Sequence, residues 1–144
     1  MPAKIKINNL NKKRGIGHEI IKSIVFGVLS DFGIKDALID ITFITDRKIK
    51  TLNKKYMHKD RPTDVLSFLL SGGINKKNQV LVGDIYISSD MAYKNSVEFK
   101  TNFRSELMRY VIHGVLHLLD FKDTSAAEKI RMRDLEEKFL KHVH

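Results

Sequence analysis

The sequence contains no cysteine, two prolines in 144 residues and no long apolar run. Without cysteine there is no disulfide framework and no Cys-ligated zinc or iron–sulfur site. No Pro/Gly/Ser-rich segment marks a linker, and there is no internal repeat or low-complexity stretch, so residues 1–144 read as one domain. No apolar stretch approaches the ~20 residues that cross a bilayer. The opening MPAKIKINN carries lysines and asparagines where a secretory leader would hold an apolar stretch of about 7 to 15 residues, so the expectation is a soluble, cytoplasmic protein. At 42% hydrophobic, the chain has what a core needs. A domain of about this length hides roughly 68% of its unfolded surface.

The charge is +9, and it is uneven. Residues 1–60 hold 13 basic and 6 acidic side chains, whereas 61–144 hold 13 and 11. A positive field concentrated on part of a small domain raises the local concentration of polyanions, which points to nucleic acid as a partner. A solvated, lysine-rich surface accounts for the charge equally well.

Periodicity yields four strands and five helices. Ala3 to Asn8, Ala37 to Thr45, Asp64 to Leu70 and Val80 to Ser88 alternate or are β-branched and apolar, as strands are. The polar stretch Ser71 to Gln79 joins the last two as a long hairpin loop. Gly17 to Asp31, Asp46 to Tyr56, Ser89 to Val97, Asn102 to Leu119 and Ser125 to Val143 read as helices. The second is capped by Thr45 or Asp46, and the fifth opens with the capping box Ser125-Ala-Ala-Glu128. The expected class is α+β, a small four-stranded mixed sheet packed with about five helices. Phe26, Phe32, Phe43 and Phe68 sit in apolar runs and read as core rather than as base-stacking platforms. The cluster Lys12-Lys13-Arg14 reads as solvated, and His142 and His144 as frayed surface residues.

The chemistry lies near the carboxyl end, in RSELMRYVIHGVLHLLDFKD, Arg104 to Asp123. His113 and His117, four apart, share one helix face with Cβ atoms about 5–6 Å apart. The surrounding helix is apolar nearly all round, so both imidazoles need partners, and one metal ion satisfies the two at once. A third ligand must come from beyond the helix. If the chain turns at Asp120 in the left-handed conformation, Asp123 comes back toward the ion, with Asp120 itself as the rival ligand. His113, His117 and Asp123 plus one water make a three-ligand site with an open position, the arrangement of a catalytic zinc. In the HExxH helix of zinc peptidases a Glu follows the first His as general base; here that position is Gly114, which argues against a peptidase. A glycine inside a helix implies close packing against a strand or close approach of a substrate.

HGVLHLLDF resembles the HGxLHLxGYDH signature of the bacterial YbeY family, metal-dependent endoribonucleases of ribosomal RNA maturation. LNKKYMHKDRPTDVLSF (Leu52 to Phe68), GDIYIS (Gly83 to Ser88) and RSELMRYVIHG (Arg104 to Gly114) match further family motifs in order. The resemblance implies an α+β fold, a bound zinc, cleavage of single-stranded RNA and a ribosome-linked role. The family's first two metal histidines fall on His113 and His117, its third on Asp123 and its turn glycine on Asp120. Its arginine after the aromatic of the second motif falls on Met57, so Arg61 is the candidate contact to substrate phosphate. Ser67 and Thr63 read as strand packing and turn capping beside the site. The departures at Met57, Asp120 and Asp123 support a second reading, a non-catalytic module that binds RNA or the ribosome and is stabilised by its metal.

Overall fold

The computed structural model describes residues 3–76 and 78–141. Its elements follow the expected order: β1 (Lys4–Asn9), α1 (His18–Asp31), β2 (Ala37–Ile44), α2 (Asp46–Met57), β3 (Val65–Ser71), β4 (Leu81–Ser88), α3 (Ser89–Glu98), α4 (Phe103–Leu118) and α5 (Ala126–Lys141). The class is α+β with a four-stranded mixed sheet in the order β1-β2-β4-β3. β1, β2 and β4 run parallel, and β3 returns antiparallel to β4 across the long loop. Val143, His142 and His144 lie outside the described residues. Among the described residues no helix is long and apolar enough to cross a membrane.

Alternation in the strands sets the two faces of the sheet. Ala37, Ile39, Ile41 and Phe43 of β2 and Leu81, Ile85 and Ile87 of β4 are buried, and they meet the apolar stripes of α1, α4 and α5 in the main core. On the other face a smaller cluster of Ile44, Ile49 and Leu66 packs beneath α2 with Phe68 and Tyr86. One core assignment fails. Phe43 is fully buried and Phe32 and Phe68 pack against the clusters, but Phe26 is 42% exposed. The buried stripe of α1 runs through Ile24 and Val28, and Phe26, two residues from each, lies about 200° round the helix from both.

Side chains cap the helices that frame the site. Thr45 Oγ1 accepts from Lys48 N, settling which residue caps α2, and Asn102 Oδ1 accepts from Ser105 N at 2.8 Å at the start of α4. The capping box of α5 closes both ways: Ser125 Oγ accepts from Glu128 N at 3.1 Å, and Glu128 Oε1 accepts from Ser125 N at 2.9 Å.

α4 lies close on the sheet because glycine stands on both sides of the contact. A Cβ on Gly83 would come within 2.7 Å of Leu118, and one on Gly114 within 2.7 Å of Ile85 Cγ2. Close helix-to-strand packing therefore explains Gly114. Ser67 Oγ on β3 fastens the contact by donating to the Gly114 carbonyl at 2.9 Å.

Candidate metal centre

The end of α4 is built to turn the chain back. Asp120 adopts φ of 69°, its N–H donates to the His117 carbonyl at 3.0 Å, and the Phe121 N–H donates to the Leu116 carbonyl at 3.0 Å. These two bonds are the Schellman pair, which satisfies the last carbonyls of the helix. The Phe121 ring packs on Phe32, centroids 5.2 Å apart, which anchors the chain beyond the turn. Asp123 thereby returns to the histidine face.

Three donor atoms converge there. His113 Nε2 and His117 Nε2 are 2.9 Å apart, and Asp123 Oδ2 lies 3.2 Å from the first and 3.5 Å from the second. Ligands at about 2.0–2.1 Å on the corners of a tetrahedron are separated by about 3.3 Å, so this triangle has the dimensions of one tetrahedral face round a small divalent cation. Two imidazole nitrogens and a carboxylate oxygen are a donor set that suits such an ion. Among the described residues, His113, His117 and Asp123 are the group that can hold a metal. Asp120, the rival, is not part of it.

The histidines differ in their surroundings. Burial pulls the His113 pKa down, but the hydrogen bond and charge of Glu136 outweigh it and hold the imidazole above its ordinary value. Burial, and then the neighbouring His113, hold His117 below its ordinary value. Glu136 Oε2 sits 2.6 Å from His113 Nδ1, so the hydrogen-bond network assigns the proton to Nδ1 and turns the Nε2 lone pair toward His117 and Asp123. His117 makes a backbone hydrogen bond at Phe121, within the turn that follows it.

His113 and Asp123 also line an open cleft of about 440 Å³ between α4 and α5, together with Asp64, Arg109, Tyr110, Lys129 and Arg133. Burial pushes the Tyr110 hydroxyl up to about 12, so this phenol keeps its proton near neutral pH. The cations of the lining come from α4 and α5, not from the basic first 60 residues. Arg61 lies outside the lining, on the exposed loop before β3, where its carbonyl accepts from Asn53 Nδ2 at 2.9 Å. Thr63 Oγ1 donates to Asp64 Oδ1 at 3.3 Å, and Met57 is exposed at the end of α2. Arg14 is not a free phosphate contact: it pairs with Asp90 at 3.0 Å and stacks over Tyr93.

Sequence reasoning missed Glu136, Arg109 and Asp64. A signal for the first was present, since a carboxylate between Met132 and Phe139 interrupts the buried stripe of α5. Asp64 and Arg109 carry no comparable local mark, because only the packing of α4 against β3 and α5 brings them to the cleft.

Comparison with known proteins identifies the family and the fold. The family model described as Endoribonuclease YbeY matches residues 6–144. Curated relatives named Endoribonuclease YbeY include one from Chlorobium phaeovibrioides, 35% identical over 95% of this chain and 88% of its own. Another, from Flavobacterium psychrophilum, is 40% identical over 74% of this chain and 72% of its own. The solution structure of a Thermotoga maritima protein superposes with a TM-score of 0.64 at 28% identity, covering 97% of this chain and 89% of that one.

Proposed function

The chain belongs to the YbeY endoribonuclease family, and on that premise we propose that it is a metal-dependent endoribonuclease that hydrolyses phosphodiester bonds in single-stranded RNA. Its place is in ribosomal RNA maturation and ribosome quality control in the cytoplasm. Zinc is the ion, and His113, His117 and Asp123 would hold it. The observation that carries this reading is the 2.9, 3.2 and 3.5 Å triangle of donor atoms beside an open cleft.

Bound there, the ion supplies Lewis acidity, which activates water near neutral pH and offsets phosphate charge. The chain's own side chains do the rest. Lys129 and Arg133, exposed on α5, give the RNA backbone a cationic wall, and a guanidinium such as that of Arg133 matches phosphate in a bidentate way. Arg61 adds a phosphate contact from the loop before β3. Tyr110, which keeps its proton, is a donor in the cleft and not a base.

The test uses purified chain and a single-stranded RNA. Cleavage that stops with chelator and returns with zinc is the expected result. RNA binding that is indifferent to chelator, with no cleavage under any metal, would replace this reading with the non-catalytic module.

A further inference from the structure

Glu136 is 6% exposed, on a helix face otherwise made of Met132, Phe139 and Leu140. A carboxylate in that place is retained only if each oxygen finds a partner. Both do: Oε2 meets His113 Nδ1 at 2.6 Å, and Oε1 accepts from Arg109 Nη1 at 3.3 Å. Arg109 is fixed in turn by Glu137, whose Oε1 accepts from Nη2 at 2.5 Å. Arg109 and His113 stand one turn apart on α4, so the chain from guanidinium to carboxylate to imidazole bridges α4 and α5 along one face of each. An apolar residue at 136 would have continued the stripe. The carboxylate instead determines which nitrogen of His113 is free.

We propose that Glu136 is the positioning residue of the metal centre: it holds His113 in the tautomer that turns a bare Nε2 toward the cation, and Arg109 holds Glu136 in place. The proposal rests on His113, His117 and Asp123 being the ligands. A carboxylate on the far nitrogen of a metal-binding imidazole fixes its orientation and raises its basicity, and losing such a partner typically lowers metal affinity about 10- to 100-fold.

The experiment strips the full-length protein of metal, titrates it with Zn²⁺ against a chromogenic chelator, and reads the His113 tautomer in the metal-free protein by long-range ¹H–¹⁵N NMR. Wild type should bind one zinc, with the His113 proton on Nδ1. Glu136→Gln, which keeps shape and an acceptor but loses the charge, should weaken zinc about 10- to 100-fold and move the proton toward Nε2. Arg109→Lys should weaken zinc by a smaller factor, and it keeps the test open if Glu136→Gln does not fold. Wild-type affinity and an unchanged tautomer in Glu136→Gln overturn the proposal, as does lost thermal stability with unchanged affinity. Full zinc affinity in His113→Ala would overturn the ligand set itself, a result obtained without touching Glu136.

Discussion

At the carboxyl ends of the parallel strands, Asn11, Arg14, Asp46, Ser88, Ser89 and Asp90 form a polar cluster in which every carboxylate oxygen meets a donor. At the end of α4, by contrast, three side-chain atoms that could each serve as a metal ligand face one another. In the first cluster Asp90 Oδ1 accepts from Asn11 Nδ2 at 2.9 Å and from Arg14 Nε at 3.0 Å, while Oδ2 accepts from Asp46 N at 3.0 Å. Asp46 accepts from Ser88 Oγ at 2.5 Å and pairs with Lys94. Charge and hydrogen bonds close on themselves, and the cluster ties the loop after β1 to the starts of α2 and α3. In the second, His113 Nε2, His117 Nε2 and Asp123 Oδ2 leave space among them for one proton or one cation. Glu136 backs the His113 ring from outside this triangle, and within it the three groups have one another as partners. Both clusters lie against the core. Only the second leaves donor capacity for a ligand.

The sharpest way to break this contrast is to remove one lone pair from the second cluster. His117→Ala should abolish metal retention and RNA cleavage while leaving the chain folded, because the ring, partly exposed at the end of α4, is not part of the apolar core; metal analysis and far-UV circular dichroism read the two arms. Retained zinc at full stoichiometry would end the distinction between the clusters. Gly114→Ala tests how the second cluster is held. Its Cβ would meet Ile85 at 2.7 Å and lift α4 from the sheet, at a cost of about 1–3 kcal/mol measured by urea unfolding.

Asp90→Asn probes the closed cluster, with an expected loss of about 1–2 kcal/mol near neutral pH and no change in metal binding. Burial raises the Asp90 pKa, but its hydrogen bonds from Asp46 N, Asn11 and Arg14 outweigh that and hold the carboxyl below its usual range. The stabilisation is therefore present above the unfolded carboxyl pKa of about 3.9 and is lost as pH falls through the lower folded value. The variant should unfold with a flatter acid limb than wild type. The smallest effect belongs to Asp120→Gly, which relieves a left-handed aspartate and should raise stability by no more than about 1 kcal/mol with zinc affinity unchanged. A loss of zinc in that variant, equal to the loss in Asp123→Ala, would make Asp120 the ligand.

Much of the site was legible because its rules are local. The i, i+4 spacing places His113 and His117 on one face in any α-helix, and an aspartate that tolerates positive φ lets the chain turn at Asp120. The strands were legible through alternation, and the capping box of α5 through Ser125 and Glu128. Phe26 was misplaced because an apolar run hides which side of a helix faces the core until the neighbouring residues fix the stripe. Basic charge is in excess in the first 60 residues, and the resemblance points to Arg61 for phosphate, but neither those residues nor Arg61 lines the cleft. Lys129 and Arg133 line it instead, because α5 folds back across α4.

Sequence alone, then, determined the pair of imidazoles, the reversal after them and the aspartate that follows. Each depends on backbone geometry within one or two helical turns, and that geometry is the same wherever the segment sits. Only the tertiary structure decided that Glu136 meets His113 across 23 residues, that Gly114 faces Ile85, and that Asn11 joins Asp90 across 79. Those pairings follow from how apolar faces of distant elements pack. Such packing depends on the whole core at once and leaves no periodic mark in any single stretch of chain.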